Sequence, residues 1–376
     1  MRNECMGLIN LTKKGNPNIS KLNYGRPIAS TPIGGRYRVI DFALSNMVNS
    51  GITNVGIFAK EKYRSLTDHI ESGKDWDLSR KKGGLSIFSP ENTESQNIYP
   101  YRKGDIYNIL CNIDYIKKSE EEYILVSPSY MVCNMDYTEA LKYHKKSNNY
   151  ITMIYKNIDN ANNDFKGNLT LNLDEDSKVI NMGSNIGAFN NANIYMEMYI
   201  MKRTDFIEAI YNLTNTGDYQ YLEDFLIEAV KYKQVGVYKY DGYLKCIKSI
   251  QSYFEISKEL LDINVARELL YSERKILTKE KNESPTIYTE DANVENSFIA
   301  SGCVIEGNVK NSIIFRKVHI KKGTNIENCI IMQNSFIGEE CNLENVIFDK
   351  NINLAKGKEL RGDENYPIVV EKNISI

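Results

Sequence analysis

The chain has 376 residues, of which 42% are hydrophobic and 26% are charged, and its formal net charge is −2 at pH 7. These values are ordinary for a folded globular protein, and the length favours two domains over one small core. A slightly acidic balance argues against a generic nucleic-acid binder, which would carry an excess of Lys and Arg.

The apolar runs and the N-terminal segment bear on localisation. No run of eighteen apolar residues occurs, so the sequence predicts no membrane span. The first apolar run follows Arg2 and Glu4 and is only seven residues long, without the long apolar core and cleavage site of a signal peptide. We therefore expect a cytoplasmic protein.

The cysteines and histidines do not form a metal-binding pattern. No two cysteines are spaced as C-x-x-C, which favours reduced thiols that pack as small hydrophobic side chains. The three histidines, His69, His144 and His319, are far apart in the sequence. The cysteines are Cys5, Cys111, Cys133, Cys246, Cys303, Cys329 and Cys341.

The first 250 residues alternate between segments typical of strands and of helices. Such alternation indicates an α/β domain with a mostly parallel sheet, whose ligand crevice lies at the carboxyl ends of the strands. The loops after Leu11 and after Val126 are therefore the predicted places for chemistry. The predicted strands are 5–11, 54–59, 123–126 and 151–155, and the predicted helices are 61–70 and 138–145.

A connector follows this region. Residues 251–270 are predicted to form one helix, and a charged stretch from Ser272 to Ser284 ends at Pro285. We accordingly predict an α/β domain over 1–250, a helical connector over 251–284 and a second domain over 285–376.

After Pro285 the period of the sequence changes. Apolar residues recur every five or six positions from Ile314 to Leu354, a spacing that fits neither a helix nor a flat strand. This spacing predicts a solenoid with three short strands per coil. Asparagine tolerates left-handed backbone angles, so four repeated asparagines are predicted to stack at one corner. They are Asn296, Asn311, Asn328 and Asn345, and the last three are seventeen residues apart.

Four strings in the first half carry a family resemblance. They are Gly34–Phe42, Leu44–Ile52, Tyr63–Ile70 and Met135–Tyr137. With the solenoid, they resemble the glucose-1-phosphate adenylyltransferase family, also called ADP-glucose pyrophosphorylase, over nearly the whole chain. The resemblance implies an α/β, Rossmann-like nucleotidyltransferase (GT-A-like) domain followed by a C-terminal left-handed parallel β-helix of hexapeptide-type repeats. Active members make ADP-glucose from ATP and glucose 1-phosphate with the help of magnesium.

The departures from the family pattern fall on its catalytic positions. Active members carry a glycine-rich loop after the first strand, whereas 12–19 here holds one glycine and one proline. The resemblance puts one magnesium-binding aspartate of active members on Ser129 or Tyr130, and the other on Cys246. Magnesium prefers carboxylate oxygens, so these side chains are poor replacements. We therefore predict no catalytic residue, no cofactor and no metal site in this chain.

The pattern is similar to a non-catalytic group within the family, the glycogen biosynthesis protein of GlgD type. That likeness implies a regulatory subunit that forms a heterotetramer with the catalytic subunit. Arg36 and Arg38 lie in the string that borders an anionic effector site in relatives, and the planar guanidinium suits phosphate. Ion pairing at a surface or interface explains these arginines equally well. The acidic stretch 338–344 in the late coils counts against an inherited effector site.

Two alternatives remain open at this point. A weakly active nucleotidyltransferase would need other carboxylates, such as Asp136 or Asp105. An acyltransferase would need a histidine base, and His319 is the one histidine in the repeats.

Overall fold

A computed structural model describes residues 4–12, 19–23, 26–60, 63–90, 104–216 and 220–376. The described residues group into two compact units. The first unit comprises those within 1–16, 42–245 and 274–277, and the second comprises those within 17–41, 246–273 and 278–376. The boundaries predicted at 250/251 and 284/285 divide the chain by sequence order, and they stay a prediction.

The α-helices are short, and most belong to the first unit. In chain order they are α1 (Ser20–Asn23), α2 (Val39–Asn49), α3 (Arg64–Ile70), α4 (Asp105–Cys111), α5 (Ile113–Lys118), α6 (Thr138–Ser147), α7 (Arg203–Thr216), α8 (Leu222–Tyr232), α9 (Ile250–Glu259) and α10 (Ile263–Leu269).

The strands before the solenoid lie mostly in one mixed sheet. In chain order they are β1 (Cys5–Asn10), β2 (Pro32–Ile33), β3 (Tyr37–Arg38), β4 (Asn54–Phe58), β5 (Gly84–Phe88), β6 (Tyr123–Pro128), β7 (Met131–Val132), β8 (Ile151–Ile158), β9 (Leu169–Leu173), β10 (Val179–Ser184), β11 (Ala192–Lys202), β12 (Val235–Lys239) and β13 (Lys245–Cys246).

The sheet of the first unit runs in the order β10-β9-β11-β6-β1-β4-β5, and β8 joins β11 to β12. Strands β6, β1, β4 and β5 are parallel, whereas β11 is antiparallel to β6 and β8. The apolar runs of β1, β4 and β6 are buried along almost their whole length, as expected for strands covered on both faces. Asn10 pairs with Pro128, so the carboxyl ends of β1 and β6 lie side by side.

The predicted elements of this unit are confirmed, with small changes at their ends. The strand predicted over 5–11 ends at Asn10, and the helix predicted over 138–145 extends to Ser147. Helix α3 begins at Arg64, and residues 61–62 lie outside the described part of the chain.

The single helix predicted over 251–270 is wrong, because two helices replace it. Helix α9 begins after Ser249, whose Oγ accepts a hydrogen bond from the Ser252 N–H at 3.0 Å. The side chain of Asp262 then caps α10 by accepting from the Asn264 N–H at 2.8 Å. Aspartate favours such an N-cap over a helix interior, which explains the break.

The second half of the chain forms three stacked parallel sheets. The strands are β14 (Ile287–Tyr288), β15 (Asn293–Glu295), β16 (Phe298–Ile299), β17 (Val304–Ile305), β18 (Asn308–Lys310), β19 (Ile313–Ile314), β20 (His319–Ile320), β21 (Asn325–Glu327), β22 (Ile330–Ile331), β23 (Phe336–Ile337), β24 (Asn342–Glu344), β25 (Val346–Phe348), β26 (Asn353–Leu354), β27 (Glu359–Arg361) and β28 (Ile368–Val370).

These sheets confirm the predicted left-handed β-helix, with one strand of each coil in each sheet. Asn308 pairs with Asn325 and Asn325 with Asn342, which is the seventeen-residue period read from the sequence. The predicted inward positions are all buried, and they form one continuous apolar core: Ile314, Ile320, Ile326, Ile331, Ile337, Leu343, Phe348 and Leu354.

The predicted asparagine corner is also confirmed. The four asparagines have φ angles of 42°, 48°, 52° and 52°, in chain order. The Asn296 Nδ2 donates to the Asn311 Oδ1 at 2.8 Å, and the Asn311 N–H donates to the Glu295 carbonyl at 3.2 Å. Asparagine therefore serves both the backbone turn and the contact between coils.

Among the helices of the described residues, each is too short or too polar to cross a membrane.

Candidate functional site

A small cavity lies at the carboxyl ends of β1 and β6. Its volume is about 50 Å³, and its lining includes Asn10, Ser127, Tyr130 and Glu197. A water molecule needs roughly 10–15 Å³ of such volume, so the cavity has room for a few waters. Pockets that hold small-molecule ligands are typically larger, about 300–1,000 Å³.

Tyr130 and Glu197 bond to each other in the lining of this cavity. Tyr130 follows β6 and is 4% exposed, and its hydroxyl donates a hydrogen bond to the Glu197 carboxylate. Glu197 lies in β11 where the pairing with β8 shifts register, and its φ angle is 58°. A non-glycine residue with that backbone angle costs about 1–2 kcal/mol, so the surrounding packing must hold Glu197 in place.

Two further tyrosines, Tyr195 and Tyr199, line the cavity and are 1% and 2% exposed. Within the described part of the chain, neither hydroxyl has a hydrogen-bond partner. Burial raises the pKa of both phenols well above the usual value, so both hydroxyls stay protonated near neutral pH.

Asp105 is a buried carboxyl that joins two elements beside the cavity. Its Oδ2 accepts a hydrogen bond from the Asn10 Nδ2 at 2.6 Å, and its Oδ1 accepts from the Leu222 N–H at 2.9 Å, at the start of α8. Burial raises the pKa of Asp105 to about 7, although these hydrogen bonds oppose the rise. Asp105 thus caps α8 and anchors the end of β1.

The carboxyl Asp136 also has a structural role. Its Oδ1 accepts from the Thr138 N–H at 2.8 Å, and its Oδ2 lies 3.7 Å from the Arg274 Nη1. Burial acts to raise the pKa of Asp136, but the hydrogen bonds of Thr138 and the charge of Arg274 outweigh it, so the pKa is lowered. Asp136 therefore fixes the first turn of α6.

The residues at the positions of the family's metal aspartates do not fit magnesium. Ser129 is buried, and the Tyr130 hydroxyl is engaged with Glu197. Cys246, in the second unit, is buried and offers only a thiol. The described residues contain no group of three or more His, Cys, Asp or Glu side chains that could hold a metal ion. The positions corresponding to the glycine-rich loop, 13–18, lie outside the described residues.

In the second unit the predicted Arg36 and Arg38 belong to a larger group of cations. We define the basic cluster as Arg26, Arg36, Arg38, Arg316 and Lys350. The Arg26 Nη2 donates to both carboxylate oxygens of Asp349 at 3.1 Å, and the two side chains are 6% and 4% exposed. Among the described residues, the buried Nε of Arg26 has no hydrogen-bond partner.

Lys350 and Arg316 connect this pair to the predicted arginines. Burial, together with the positive charges of Arg38, Arg26 and Arg316, lowers the pKa of Lys350 to about 7, and the charge of Asp349 opposes this shift. Burial also lowers the pKa of Arg316; Glu283 opposes this shift and the charge of Arg36 adds to it. The five cations therefore share one electrostatic environment.

Arg36 also lines an open groove of the second unit. The groove has a volume of about 490 Å³, and its wall includes Tyr37, Tyr271, Tyr288 and Phe298. This size is within the usual range for small-molecule sites. Aromatic walls beside a guanidinium suit an anion with an apolar part.

Sequence reasoning found Arg36 and Arg38 and missed the other three members of the basic cluster. Arg316 and Lys350 are two coils apart, and the seventeen-residue period alone would have placed them in one column with Gln333 between them. The Asn334 N–H donates to the Arg316 carbonyl and the Asn351 N–H to the Gln333 carbonyl, which confirms that stacking. The pairing of Arg26 with Asp349 spans 323 residues and has no sequence signal.

Comparisons with known proteins agree with this architecture. The nucleotidyl transferase family model matches residues 23–181, and the GlmU-like C-terminal hexapeptide model matches residues 285–366. Glycogen biosynthesis protein GlgD of Bacillus subtilis is 34% identical over 373 residues, which cover 99% of this chain and 97% of that protein. GlgD of Geobacillus stearothermophilus is 36% identical over 324 residues, covering 86% and 83%.

Catalytic relatives are similar over nearly as much of the chain. Glucose-1-phosphate adenylyltransferase of Mycoplasma mobile is 32% identical over 320 residues, which cover 84% of this chain and 80% of that protein. The similarity thus spans both units.

Proposed function

The chain belongs to the glucose-1-phosphate adenylyltransferase family and is of the GlgD type, and we propose that it serves glycogen biosynthesis as a regulatory, non-catalytic subunit. The names of its relatives support the role in glycogen biosynthesis. The observation that carries the non-catalytic part is Tyr130, which stands at a candidate position of a magnesium-binding aspartate and whose hydroxyl bonds to Glu197 beside a cavity of about 50 Å³.

Nucleotidyl transfer depends on positioned phosphates and on magnesium rather than on covalent chemistry by the protein. The cavity of about 50 Å³ is smaller than the usual small-molecule site, and a tyrosine hydroxyl is not a magnesium ligand of choice. Losing one preorganised catalytic group commonly costs about a hundredfold or more in rate. The loss of the glycine-rich loop and of both carboxylates, which the family resemblance implies, therefore supports a chain that is inactive alone.

The first test is turnover by the purified chain. Without a partner, it should form no ADP-glucose from ATP, glucose 1-phosphate and magnesium above the level of a protein-free blank. A catalytic family member assayed in parallel shows that the conditions support turnover. Magnesium-dependent product formation that Asp136→Asn abolishes would instead favour the weakly active transferase, although Asp136 caps α6 here.

The proposed partner is the catalytic subunit, in a heterotetramer. The first coil of the solenoid supports such an interface, because within the described residues β14, β15 and β16 each pair with a strand on one side only. Ile287 and Tyr288 on β14 are 60% and 52% exposed. Open strand edges with apolar side chains are commonly covered by a neighbouring subunit. Size-exclusion chromatography of the mixed chains should give a co-eluting species that neither chain forms alone, and separate elution at every ratio would contradict the proposal.

We also propose that the basic cluster binds an anionic effector. The support is the convergence of five cations, the unpaired Nε of Arg26 and the neighbouring groove. Isothermal titration calorimetry with a sugar bisphosphate should detect binding to the wild-type chain, and Arg36→Ser/Arg38→Ser should weaken it at least tenfold. Lys142→Ser provides a matched control, since it removes an exposed cation of the first unit that is paired with Glu139. Equal binding by all three chains would refute this site.

The acyltransferase alternative has less support. His319 lies on the exposed face of β20, and its ring neighbour is Phe336 at 6.4 Å between centroids. A lone exposed imidazole of this kind is no positioned general base. Titration with acetyl-CoA should give no binding signal.

A further inference from the structure

The apolar core of the solenoid is uncovered at its first coil. Strand pairing places Tyr288, Val294 and Ile299 of this coil against three core residues of the second coil, which are at most 1% exposed. Tyr288, in contrast, is 52% exposed, and Val294 and Ile299 are half-buried. Solenoids usually end in a capping repeat with a polar outer face, whereas these end positions are apolar. Covering them therefore requires another piece of protein.

The backbone of the first coil has an edge that can accept a further strand. The N–H groups of Ile287, Thr289 and Ala300 donate to the second coil at 2.9, 3.1 and 2.8 Å. Successive N–H groups of a strand point to opposite sides, so those of Tyr288 and Ile299 point away from the second coil. Across the described ranges, no strand pairs with that side. Such an edge is a template for strand addition.

The groove beside Arg36 lies at this open end and has a volume of about 490 Å³. The Arg36 guanidinium lies over the Tyr37 ring, 5.5 Å from its centroid, and no other described residue of the lining is charged. An apolar side chain beside a carboxylate would therefore complement the groove, and Tyr and Arg are typical of the residues that dominate protein–protein affinity. The solenoid side of the lining is Tyr288, Val294, Ser297, Phe298, Ile299 and Ala300.

The opposite wall of the groove is held in place by the chain itself. Gly34 and Gly35 form the turn between β2 and β3, and their φ angles of 59° and 79° suit glycine. The Tyr253 hydroxyl anchors this hairpin by donating to the Pro32 carbonyl at 2.7 Å. A preformed wall loses little conformational entropy when a partner binds.

We propose that an extended segment of the catalytic subunit adds a strand to the first coil, inserts an apolar side chain into the groove and places a carboxylate at Arg36. This inference rests on the heterotetramer proposed above, and it specifies how the two chains recognise each other. A peptide backbone supplies the row of N–H and C=O groups that the edge can pair with, as in other cases of strand addition.

The charge of the groove favours a different chain over a second copy as the occupant. In a twofold contact between two copies, the same surface of each copy faces the other. The groove contributes Arg36 and no carboxylate from its described lining, so two facing grooves would leave both guanidinium groups without a counter-charge. A partner segment with an acidic residue supplies that counter-charge.

A proline at position 288 tests the backbone part of the proposal. Tyr288→Pro removes the outward N–H and keeps the inward bonds of Ile287 and Thr289, and edge strands tolerate such a proline. Tyr288→Val is the matched control, because it also removes the ring but keeps the N–H. The dissociation constant for the catalytic chain, measured by biolayer interferometry, should be weaker for the proline variant than for the valine variant by roughly fivefold or more, since a carbonyl of the partner is left unpaired.

A second pair of variants tests the charge. Arg36→Ser should weaken the complex and reduce its sensitivity to salt, because a charge pair of the interface is lost. Arg361→Ser is the control, since Arg361 is an exposed arginine of the same unit that is paired with Glu359 at 2.8 Å. Equal losses of affinity in both variants would remove the role of Arg36.

Hydrogen exchange of the wild-type chain gives a readout that does not depend on how a variant folds. Adding the catalytic chain should slow the exchange of outward amides within 288–299 by roughly tenfold or more, while the later coils stay unchanged. Unchanged exchange over 288–299 in a complex that forms, or equal affinities of Tyr288→Pro and Tyr288→Val, would overturn strand addition and leave the regulatory subunit standing. Separate elution of the wild-type chains would overturn both. Slower exchange in this chain alone as its concentration rises would assign the edge to a second copy.

Discussion

Arg26 and Asp349 form a deeply buried ion pair of the second unit, and the effect of removing one partner differs from that of removing both. Removing both charges from water is costly, and the mutual attraction and the two hydrogen bonds of 3.1 Å offset that cost. Replacing one partner leaves the charge of the other buried without compensation. Replacing both partners leaves no uncompensated charge in this pair.

We therefore predict that Arg26→Met lowers the free energy of unfolding by about 3–5 kcal/mol. Arg26→Met/Asp349→Asn should be clearly more stable than the single variant, because no buried charge is left unpaired. Urea denaturation followed by circular dichroism measures both. Lys356→Met is the matched control, since it breaks an exposed pair with Glu339 in the same unit and should leave the midpoint almost unchanged. A double variant as unstable as Arg26→Met would contradict this account.

The sequence identified the altered residues of the cleft better than it identified the members of the basic cluster. Ser129 and Tyr130 stand out because a carboxylate is chemically required at a magnesium site, so its replacement is visible in one string. The bond from Tyr130 to Glu197 depends on how β6 and β11 lie together, and the spacing of 67 residues carries no hint of it. The partner of a side chain depends on the tertiary fold, and the sequence predicts that partner only where a repeat relates the two positions.

The solenoid shows how much of a structure a sequence repeat can predict. The sequence predicted the coils, the inward residues and the asparagine corner, because a repeated coil repeats its packing demands at fixed spacing. The prediction from apolar spacing was wrong for α9 and α10. Apolar spacing predicted one continuous helix, but Asp262 caps the start of a second helix there.

Asn311 provides a test of the corner at the level of the element. Its φ angle is 48°, so Asn311→Val should destabilise the solenoid by about 1–2 kcal/mol or more, because a branched Cβ crowds that backbone. Asn311→Gly should cost less, since glycine accepts the angle and only the contact with Asn296 is lost.

The matched control for this corner is Asn308, which lies on strand β18 of the same coil and contacts Asn325 at 2.7 Å. Asn308→Val should be tolerated, because valine suits a strand. Thermal unfolding compares the variants, and equal losses for Asn311→Val and Asn308→Val would show that backbone angle is not the reason for asparagine at the corner.

At the scale of the whole molecule, the chain has both the nucleotidyl transferase sheet and the hexapeptide solenoid of its family. Tyr130 and Cys246 stand where the family resemblance places the magnesium-binding aspartates. An architecture that is kept while its metal-binding carboxylates are replaced supports a role in assembly. The basic cluster lies in the second unit and shares no residue with the cavity beside β1 and β6, so binding of a regulatory anion there would not require turnover in this chain.

The most direct test of the regulatory role is a kinetic titration at a fixed, low concentration of the cognate catalytic chain. Initial rates of ADP-glucose formation are measured as this chain is added from zero to a molar excess, with an equal mass of an unrelated protein as the control. The account predicts a saturable change in kcat, KM or effector response that reaches its plateau at a fixed subunit ratio, while this chain alone stays at the blank. Rates that follow the catalytic chain alone at every ratio, or product formed by this chain without it, would contradict the account.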